Sequence, residues 1–406
     1  MKNILVITYW SFNDALIQTY TLPYVRILGE YLPANSKVYL LTLEKDHTVL
    51  HGNKYEVIRS SLPSNITWLP FRYYPFGIRA MIGWICILTK LVSVIVGKKI
   101  SGIHAWATPA GAIGYILSVI TGRPLVIDSY EPHAEAMVEN GAWKRNSVAF
   151  RLLFRLERLQ TRRASWVISA TEGMRDYALS KYDIGLTNFR VKPACVDLQL
   201  FSSRNLKNPA LLQSLDLTNK IVCVYAGKFG GIYLDREVFH LLKHAHAHWG
   251  DRLRVLLLTS HSPQQVKDFC DKAGLDERIV VTRFVPHAEI ADYVGMADFA
   301  LTPVKSVPTK RYCTPIKDGE YWALGLPVII SHDISDDSDI IRDNDIGAVI
   351  DWNDEAAFKS AFATIDRLLK EPADERFKRI RAVAEKYRNF SVARQAYASV
   401  YGGDFR

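Results

Sequence analysis

The residues best placed to do chemistry lie in one run, Cys313-Thr314-Pro315-Ile316-Lys317-Asp318-Gly319-Glu320-Tyr321-Trp322-Ala323-Leu324-Gly325-Leu326-Pro327. Thr314 has the side chain of a helix N-cap, Pro315 suits the first helical position, and Gly325 suits the end of the helix. The run therefore predicts a short helix whose unpaired N–H groups point outward, an arrangement that attracts phosphate. Lys317 in the first turn opposes the helix dipole, so its placement needs another reason, and a bound anion supplies one. Glu320 follows three residues on, on the same face, where its carboxylate can accept two hydrogen bonds from the vicinal hydroxyls of a ribose. The bland alternative is a surface Lys–Glu pair at helical spacing, worth roughly a few tenths of a kcal/mol.

A second run, Tyr225-Ala226-Gly227-Lys228-Phe229-Gly230-Gly231, follows a very apolar stretch and precedes a helical pattern. Gly227 lets the backbone approach a ligand closely, and Lys228 can meet a diphosphate. It is not a P-loop, since no Gly-Lys-Ser/Thr follows at the right spacing, and any tight turn produces similar glycines. In the first half, Asp128-Ser129-Tyr130-Glu131-Pro132-His133-Ala134-Glu135 follows a strand. Glu131 and His133 are candidates for positioning an attacking hydroxyl, and a structural role for the histidine is equally open. Asp14 reads as a cap of the next helix, with a contact to acceptor or donor as the other reading. Asp333, Asp336, Asp337 and Asp339 read as a solvated loop, and no metal-ligating cluster is expected.

The elements that must carry these residues alternate. Apolar runs at Ile4–Thr8, Val38–Thr42, Trp68–Phe71, Gly102–Trp106, Leu125–Ser129 and Trp166–Ala170 read as strands. Helical patterns separate them, the first (Asn13–Leu32) kinked or broken at Pro23. The pattern restarts at Ile221–Tyr225 and continues through Leu253–Thr259, Ile279–Thr282, Phe299–Thr302, Val328–Ser331 and Ala348–Ile350, with helices at Pro263–Ala273, His287–Met296 and Pro315–Leu324. A long helical tail runs from Glu355 to Tyr401. Such alternation predicts an α/β chain of two parallel sheets, each covered by helices on both faces. The polar stretch from Asp197 to Asn219, with Pro209, reads as the linker. Ligands of such sheets bind beyond the carboxyl ends of the strands, so two of them facing one another would enclose a deep cleft.

Composition sets the bounds. The chain has 406 residues, 49% hydrophobic and 23% charged, which suits two globular domains rather than one. Its five cysteines are scattered singly without a CxxC, so neither a disulfide framework nor a zinc site is suggested, and a reducing, cytoplasmic compartment is expected. Ile4-Leu5-Val6-Ile7 follows Met-Lys-Asn at once and reads as a strand rather than a signal peptide. A net charge of +9 favours anionic partners such as phosphate groups or an anionic membrane face. No nucleic-acid-binding signature is present. Met81–Val96 is nearly all apolar, but Lys90 lies inside it, so a buried helix is expected and a membrane span is not. The second reading of this helix is that its Trp84 end touches lipid at the inner face of a membrane, flanked by Arg72, Arg79, Lys98 and Lys99. The aromatic and basic patch Phe71-Arg72-Tyr73-Tyr74-Pro75-Phe76 is either a packed loop or a contact for a saccharide or lipid-linked acceptor.

Taken together, these motifs resemble the retaining glycosyltransferases of the GT-B fold (family 4-like, group 1) over nearly the whole chain. Lys192-Pro193-Ala194-Cys195-Val196-Asp197, followed by Phe201, is similar to that family's Pro-Asn-Gly-Val-Asp…Phe segment between domains. Tyr225-Ala226-Gly227-Lys228 is similar to its Tyr-x-Gly-Arg. Phe284-Val285-Pro286-His287 and Ala297-Asp298-Phe299-Ala300-Leu301-Thr302-Pro303 resemble its Gly-x-Val and Ala-Asp-x-x-Leu-x-Pro. The Lys317…Glu320…Gly325-Leu326-Pro327-Val328 block is the most specific match.

The resemblance implies two Rossmann-like domains facing across a cleft. Residues 1–198, joined by 388–406 as the C-terminal helix returns, would bind the acceptor, and 199–387 would bind a nucleotide sugar. Glu320 would hold the donor ribose. Backbone around Thr314, Pro315, Ile316 and Lys317 would hold the diphosphate, beside Gly227. Lys228 and Lys317 would neutralise the departing phosphate, and Val285 would lie against the base. No metal or other cofactor is implied, since cations and a helix end stabilise the leaving group. The implied activity is sugar transfer with retention, in cell-surface polysaccharide or glycolipid synthesis. A nucleotide-sugar epimerase or a non-catalytic partner subunit of the same fold are the rivals. The chain departs from the family where an earlier Glu would fall, at Tyr312–Cys313. It departs again where a second basic residue would fall, at Tyr233–Leu234.

Overall fold

A computed structural model describes residues 2–14, 16–74 and 78–403, the side chains of 78–81 excepted. Pro75, Phe76 and the Arg79 side chain thus lie outside the described residues. The chain divides into two compact units, Met1–Pro193 with Ser391–Arg406, and Ala194–Phe390.

The first unit holds a seven-stranded parallel sheet in the order β3-β2-β1-β4-β5-β6-β7. The strands are β1 (Asn3–Ile7), β2 (Val38–Glu44), β3 (Ile66–Arg72), β4 (Ile100–Trp106), β5 (Leu125–Tyr130), β6 (Trp166–Ser169) and β7 (Phe189–Val191). The second unit holds a six-stranded sheet, β10-β9-β8-β11-β12-β13. Its strands are β8 (Ile221–Ala226), β9 (Leu253–Leu258), β10 (Val280–Arg283), β11 (Phe299–Thr302), β12 (Val328–Ser331) and β13 (Gly347–Ile350). Each order reverses once, between β1 and β4 and between β8 and β11, where loops part and leave room for a ligand.

The apolar runs form strands because both faces of each sheet are covered. In the second unit, Val222, Val224, Ala300, Val328 and Ile330 enter one core with Tyr321 and Trp322. The alternating residues Cys223, Tyr225, Val255, Leu257, Leu301 and Ile329 enter the core on the other face with Phe239, Phe358 and Trp352. The two cores are the two sides of one pleated sheet.

Some expectations need correction. The helix predicted over 13–32 is a π-helical turn, Leu16–Thr21, followed by an α-helix, Leu22–Glu30, with Pro23 in its first turn, where its missing N–H costs nothing. The tail from Glu355 is three helices, Glu355–Leu369, Ala373–Tyr387 and Phe390–Tyr401, broken at Pro372 and at Arg388. The stretch from Asp197 to Asn219 holds a short helix, Pro209–Ser214, whose Leu211 and Leu212 pack on the second unit's core. The apolar helix, Ile78–Gly97, is not buried. Ile87, Leu91 and Ile95 form a narrow buried stripe, while Ile82, Ile85 and Val96 are more than half exposed.

Candidate active site

The site in the second unit is built on the helix Ile316–Ala323. Its cap is Pro315, not Thr314, and Pro315 offers no side-chain cap to the first N–H groups. The Thr314 hydroxyl instead meets Ser335 Oγ at 3.2 Å. The chain turns into the helix one residue later than expected because Pro315, extended at ψ 120°, takes the Ncap position. The end is as the sequence implied: Gly325 has φ 71°, and Leu326 N–H bonds back to Tyr321 O.

The helix is anchored from behind. Asp318 is fully buried, accepts from the Thr302 hydroxyl at the end of β11, and sits beside the buried Asp337. Asp337 pairs with the buried Arg388, which packs against Gly319; a Cβ there would lie 3.1 Å from Arg388 Cγ. Asp337 is therefore an internal anchor, not part of a solvated loop. Burial and the neighbouring Asp337 carboxylate push Asp318 well above the usual carboxylate range.

This anchoring fixes Lys317. Only 8% exposed, Lys317 lies with its Nζ 4.4 Å from the centre of the Tyr225 ring and 4.1 Å from that of Tyr233. The ammonium has no hydrogen-bond partner among the described residues. Burial pulls it down to about 8, against the opposing influence of Asp318 and Glu320. Gly227 forms the facing wall, with φ 152°; a Cβ there would lie 2.8 Å from Lys317 Nζ and 2.9 Å from the Tyr225 hydroxyl. That hydroxyl donates to Lys228 O at 2.6 Å and holds the glycine loop, while the Lys228 side chain is exposed. His261 Nε2 accepts from Phe229 N at 3.0 Å on the same loop.

One turn along the helix, Glu320 is 13% exposed at its side chain and faces His287, with Nε2 to Oε1 at 3.9 Å. His287 follows the half-buried Val285 in the segment after β10, beside the exposed Phe284. The structure thus brings Gly227, Lys317, Glu320 and Ile316 together at the carboxyl ends of β8 and β11. His287, Tyr225 and Tyr233 were not foreseen: nothing in their spacing relates them to Lys317 or Glu320.

In the first unit, His133 Nδ1 lies 3.5 Å from Glu131 Oε1, both side chains about one-third exposed, at the carboxyl end of β5. The helix His133–Glu139 that carries His133 is held by Glu157, which accepts from Ala134 N at 2.8 Å and from the Tyr182 hydroxyl at 2.9 Å. Burial pushes Glu157 up to about 7. Behind β5 lies a fully buried charge. Asp128 meets Lys192 Nζ at 3.1 Å, His104 at 3.2 Å, and the hydroxyl of Tyr397 from the last helix at 2.6 Å. Burial pushes Asp128 up, but Lys192, His104 and Tyr397 outweigh it and hold it at about 2. The Asp128 charge is thus committed to the fold.

Comparison with known proteins agrees with this architecture. Residues 220–369 match the family "Glycosyl transferases group 1". No curated protein sequence matches the chain. Among solved structures, sucrose-phosphate synthase from Thermosynechococcus elongatus is 17% identical, with 99% of this chain and 98% of that one covered at a TM-score of 0.72. HepE of Anabaena, solved in complex with UDP, is 15% identical, with 99% and 100% covered at 0.72. WaaG, a glycosyltransferase involved in lipopolysaccharide biosynthesis, is 14% identical, with 99% and 100% covered at 0.69. Residues 220–369 are thus similar to glycosyl transferases group 1, and the chain as a whole has the two-sheet GT-B fold of these solved structures.

Proposed function

We propose that the chain transfers a sugar, with retention of anomeric configuration, from a nucleoside diphosphate sugar to a saccharide or lipid-linked acceptor. The observation that carries this reading is the Lys317 ammonium, buried and without a hydrogen-bond partner at the open first turn of a helix. A cation so placed loses solvation unless an anion approaches, and a helix N-terminus favours the same anion. The donor diphosphate fits between that turn and Gly227, with the exposed Lys228 reaching it from outside. Glu320 takes the ribose hydroxyls, with His287 beside it, and the base lies near Val285. HepE has been solved with UDP and with UDP-glucose, so uridine diphosphate is the first nucleotide to test.

In the reaction, the bond from the anomeric carbon to the diphosphate oxygen breaks. The acceptor hydroxyl oxygen bonds to that carbon on the same face, and its proton passes to the departing phosphate. Lys317 and Lys228 stabilise the charge that grows on the leaving group, so no metal is required for that step. Glu131 and His133 orient the acceptor hydroxyl.

The Ile78–Gly97 helix supports a membrane setting for the acceptor. Among the described residues no helix is long and apolar enough to cross a membrane. The exposed Ile82, Ile85 and Val96, with Lys90, Lys98 and Lys99, instead suit contact with an anionic lipid face. A lipid-linked acceptor for cell-surface polysaccharide or glycolipid would be met there, at the inner face of the membrane. The test is turnover: incubating the chain with UDP-sugars and lipid-linked saccharides should release UDP only when acceptor is present. Conversion of the donor alone into an epimer would replace this reading with the rival one.

A further inference from the structure

A second cluster lies on the other face of the second unit's sheet, away from the Ile316 helix. His240 and His244 are one turn apart on the helix Arg236–Trp249, and Glu355 opens the helix Glu355–Leu369. Sequence spacing shows only the two histidines, because the carboxylate comes from more than a hundred residues downstream. His240 Nε2 lies 2.9 Å, and His244 Nε2 3.6 Å, from the same oxygen of Glu355. The three ligand atoms all fall within 4.8 Å of one another.

We propose that His240, His244 and Glu355 bind one divalent transition-metal ion of the zinc class, which staples these two helices together. Ligands bound to tetrahedral zinc at about 2.0–2.1 Å stand roughly 3.3 Å apart, and the two observed separations bracket that value. Both imidazoles are set edge-on against Phe358, with ring centres 5.9 and 5.6 Å away, so the rings are already oriented. The side chains keep 43%, 31% and 61% exposure, which leaves a fourth position open to water. A cavity of about 630 Å³, lined in part by His240, Glu355, Arg236 and Lys272, adjoins the site and gives access. Two nitrogens and one carboxylate favour zinc, cobalt, nickel or copper over magnesium or calcium.

The next turn shows what a closed pair looks like. His248 Nε2 meets Asp366 at 2.7 Å, and Trp249 Nε1 donates to the other oxygen of that carboxylate at 2.8 Å. That carboxylate is satisfied on both sides. The single Glu355 oxygen instead serves two imidazoles, as a bridging metal would allow. The site lies apart from the residues assigned to the sugar donor, so it stands independently of the proposed reaction.

The test uses the full untagged chain, stripped with EDTA and titrated with CoCl2 and with ZnCl2. One equivalent of cobalt should bind with the intense visible bands of a four-coordinate ion, and zinc should displace it. Zinc should also raise the thermal midpoint progressively with concentration, while MgCl2 should not. His240→Ala, His244→Ala and Glu355→Gln should each weaken binding at least tenfold, and His246→Ala on the same helix should not. Circular dichroism establishes that each variant folds, and Glu355→Gln changes only an exposed group. Absence of saturable one-equivalent binding, or equal binding by a His240→Ala/His244→Ala double variant, would overturn the proposal.

Discussion

The Lys317 ammonium lies against the ring of Tyr233, the residue standing where the family resemblance led one to expect a second basic side chain. The cation missing from the glycine loop is supplied from the facing helix. Tyr225 and Tyr233 form its walls, and Gly227 leaves the space it occupies.

This placement makes diphosphate binding depend on pH. The Lys317 pKa, pulled down to about 8, leaves the ammonium intact below that value and removes its proton above it. Affinity for a nucleoside diphosphate should be flat below pH 8 and fall about tenfold per unit above it, over the range where only the bound form holds the proton. Stability of the unliganded protein should move the other way. Between pH 8 and the ordinary lysine value the unfolded chain binds the extra proton, so unfolding becomes harder as pH rises. Lys317→Met should abolish both trends, bind diphosphate at least tenfold more weakly, and melt higher. Calorimetric titrations across pH check the first trend, and thermal melts of the unliganded protein check the second.

Lys228 should separate catalysis from folding. Its side chain is exposed, so Lys228→Ala should leave the thermal midpoint within a degree or two while lowering kcat by about 10²-fold, the order expected for one preorganised charge on a leaving group. Steady-state kinetics beside a thermal melt measures both; unchanged kcat would remove it from the reaction.

The Asp128 cluster should set the acid limit of the first unit. Its pKa of about 2 lies below the ordinary aspartate value, so its stabilisation is present above pH 4 and is lost as pH falls through 2. Tyr397→Phe removes a hydrogen bond to a buried charge and should cost about 1.5–3 kcal/mol at pH 7. Lys192→Met leaves the carboxylate without its cation and should cost more, about 3–5 kcal/mol. Urea unfolding of each variant at pH 7 gives these values directly.

The exposed face of the Ile78–Gly97 helix should govern vesicle binding. Co-sedimentation with phosphatidylglycerol vesicles should fall several-fold in Ile85→Glu and in Lys98→Glu/Lys99→Glu, and salt should weaken it in the wild type. Neutral phosphatidylcholine vesicles should bind less.

The α/β class and the paired sheets were legible because apolar runs with helical patterns between them leave few alternatives. Lys317, Glu320 and Gly227 were legible because one loop and one helix start carry them in sequence order. His287, Tyr225 and Tyr233 were not: the two tyrosines come from β8 and the loop after it and His287 from the loop after β10, and only tertiary packing relates them to Lys317 and Glu320. Asp337 was misread for the same reason: its partner, Arg388, lies 51 positions away. The cap moved from Thr314 to Pro315 because helix ends depend on local backbone angles that residue preference fixes only to within a residue or two. The apolar helix misled because hydrophobicity alone does not say which face a neighbour covers.

The central claim is that the first turns of the Ile316 helix grip a ribose diphosphate through Lys317 and Glu320. It is tested most directly by calorimetric titration of UDP and 2′-deoxy-UDP into the wild type and into Glu320→Ala. The account predicts that the wild type prefers UDP by roughly 10-fold or more, as expected for hydrogen bonds to a carboxylate, and that Glu320→Ala binds both equally and weakly. Equal binding of the two nucleotides by the wild type, or an undiminished preference for UDP in Glu320→Ala, would contradict it.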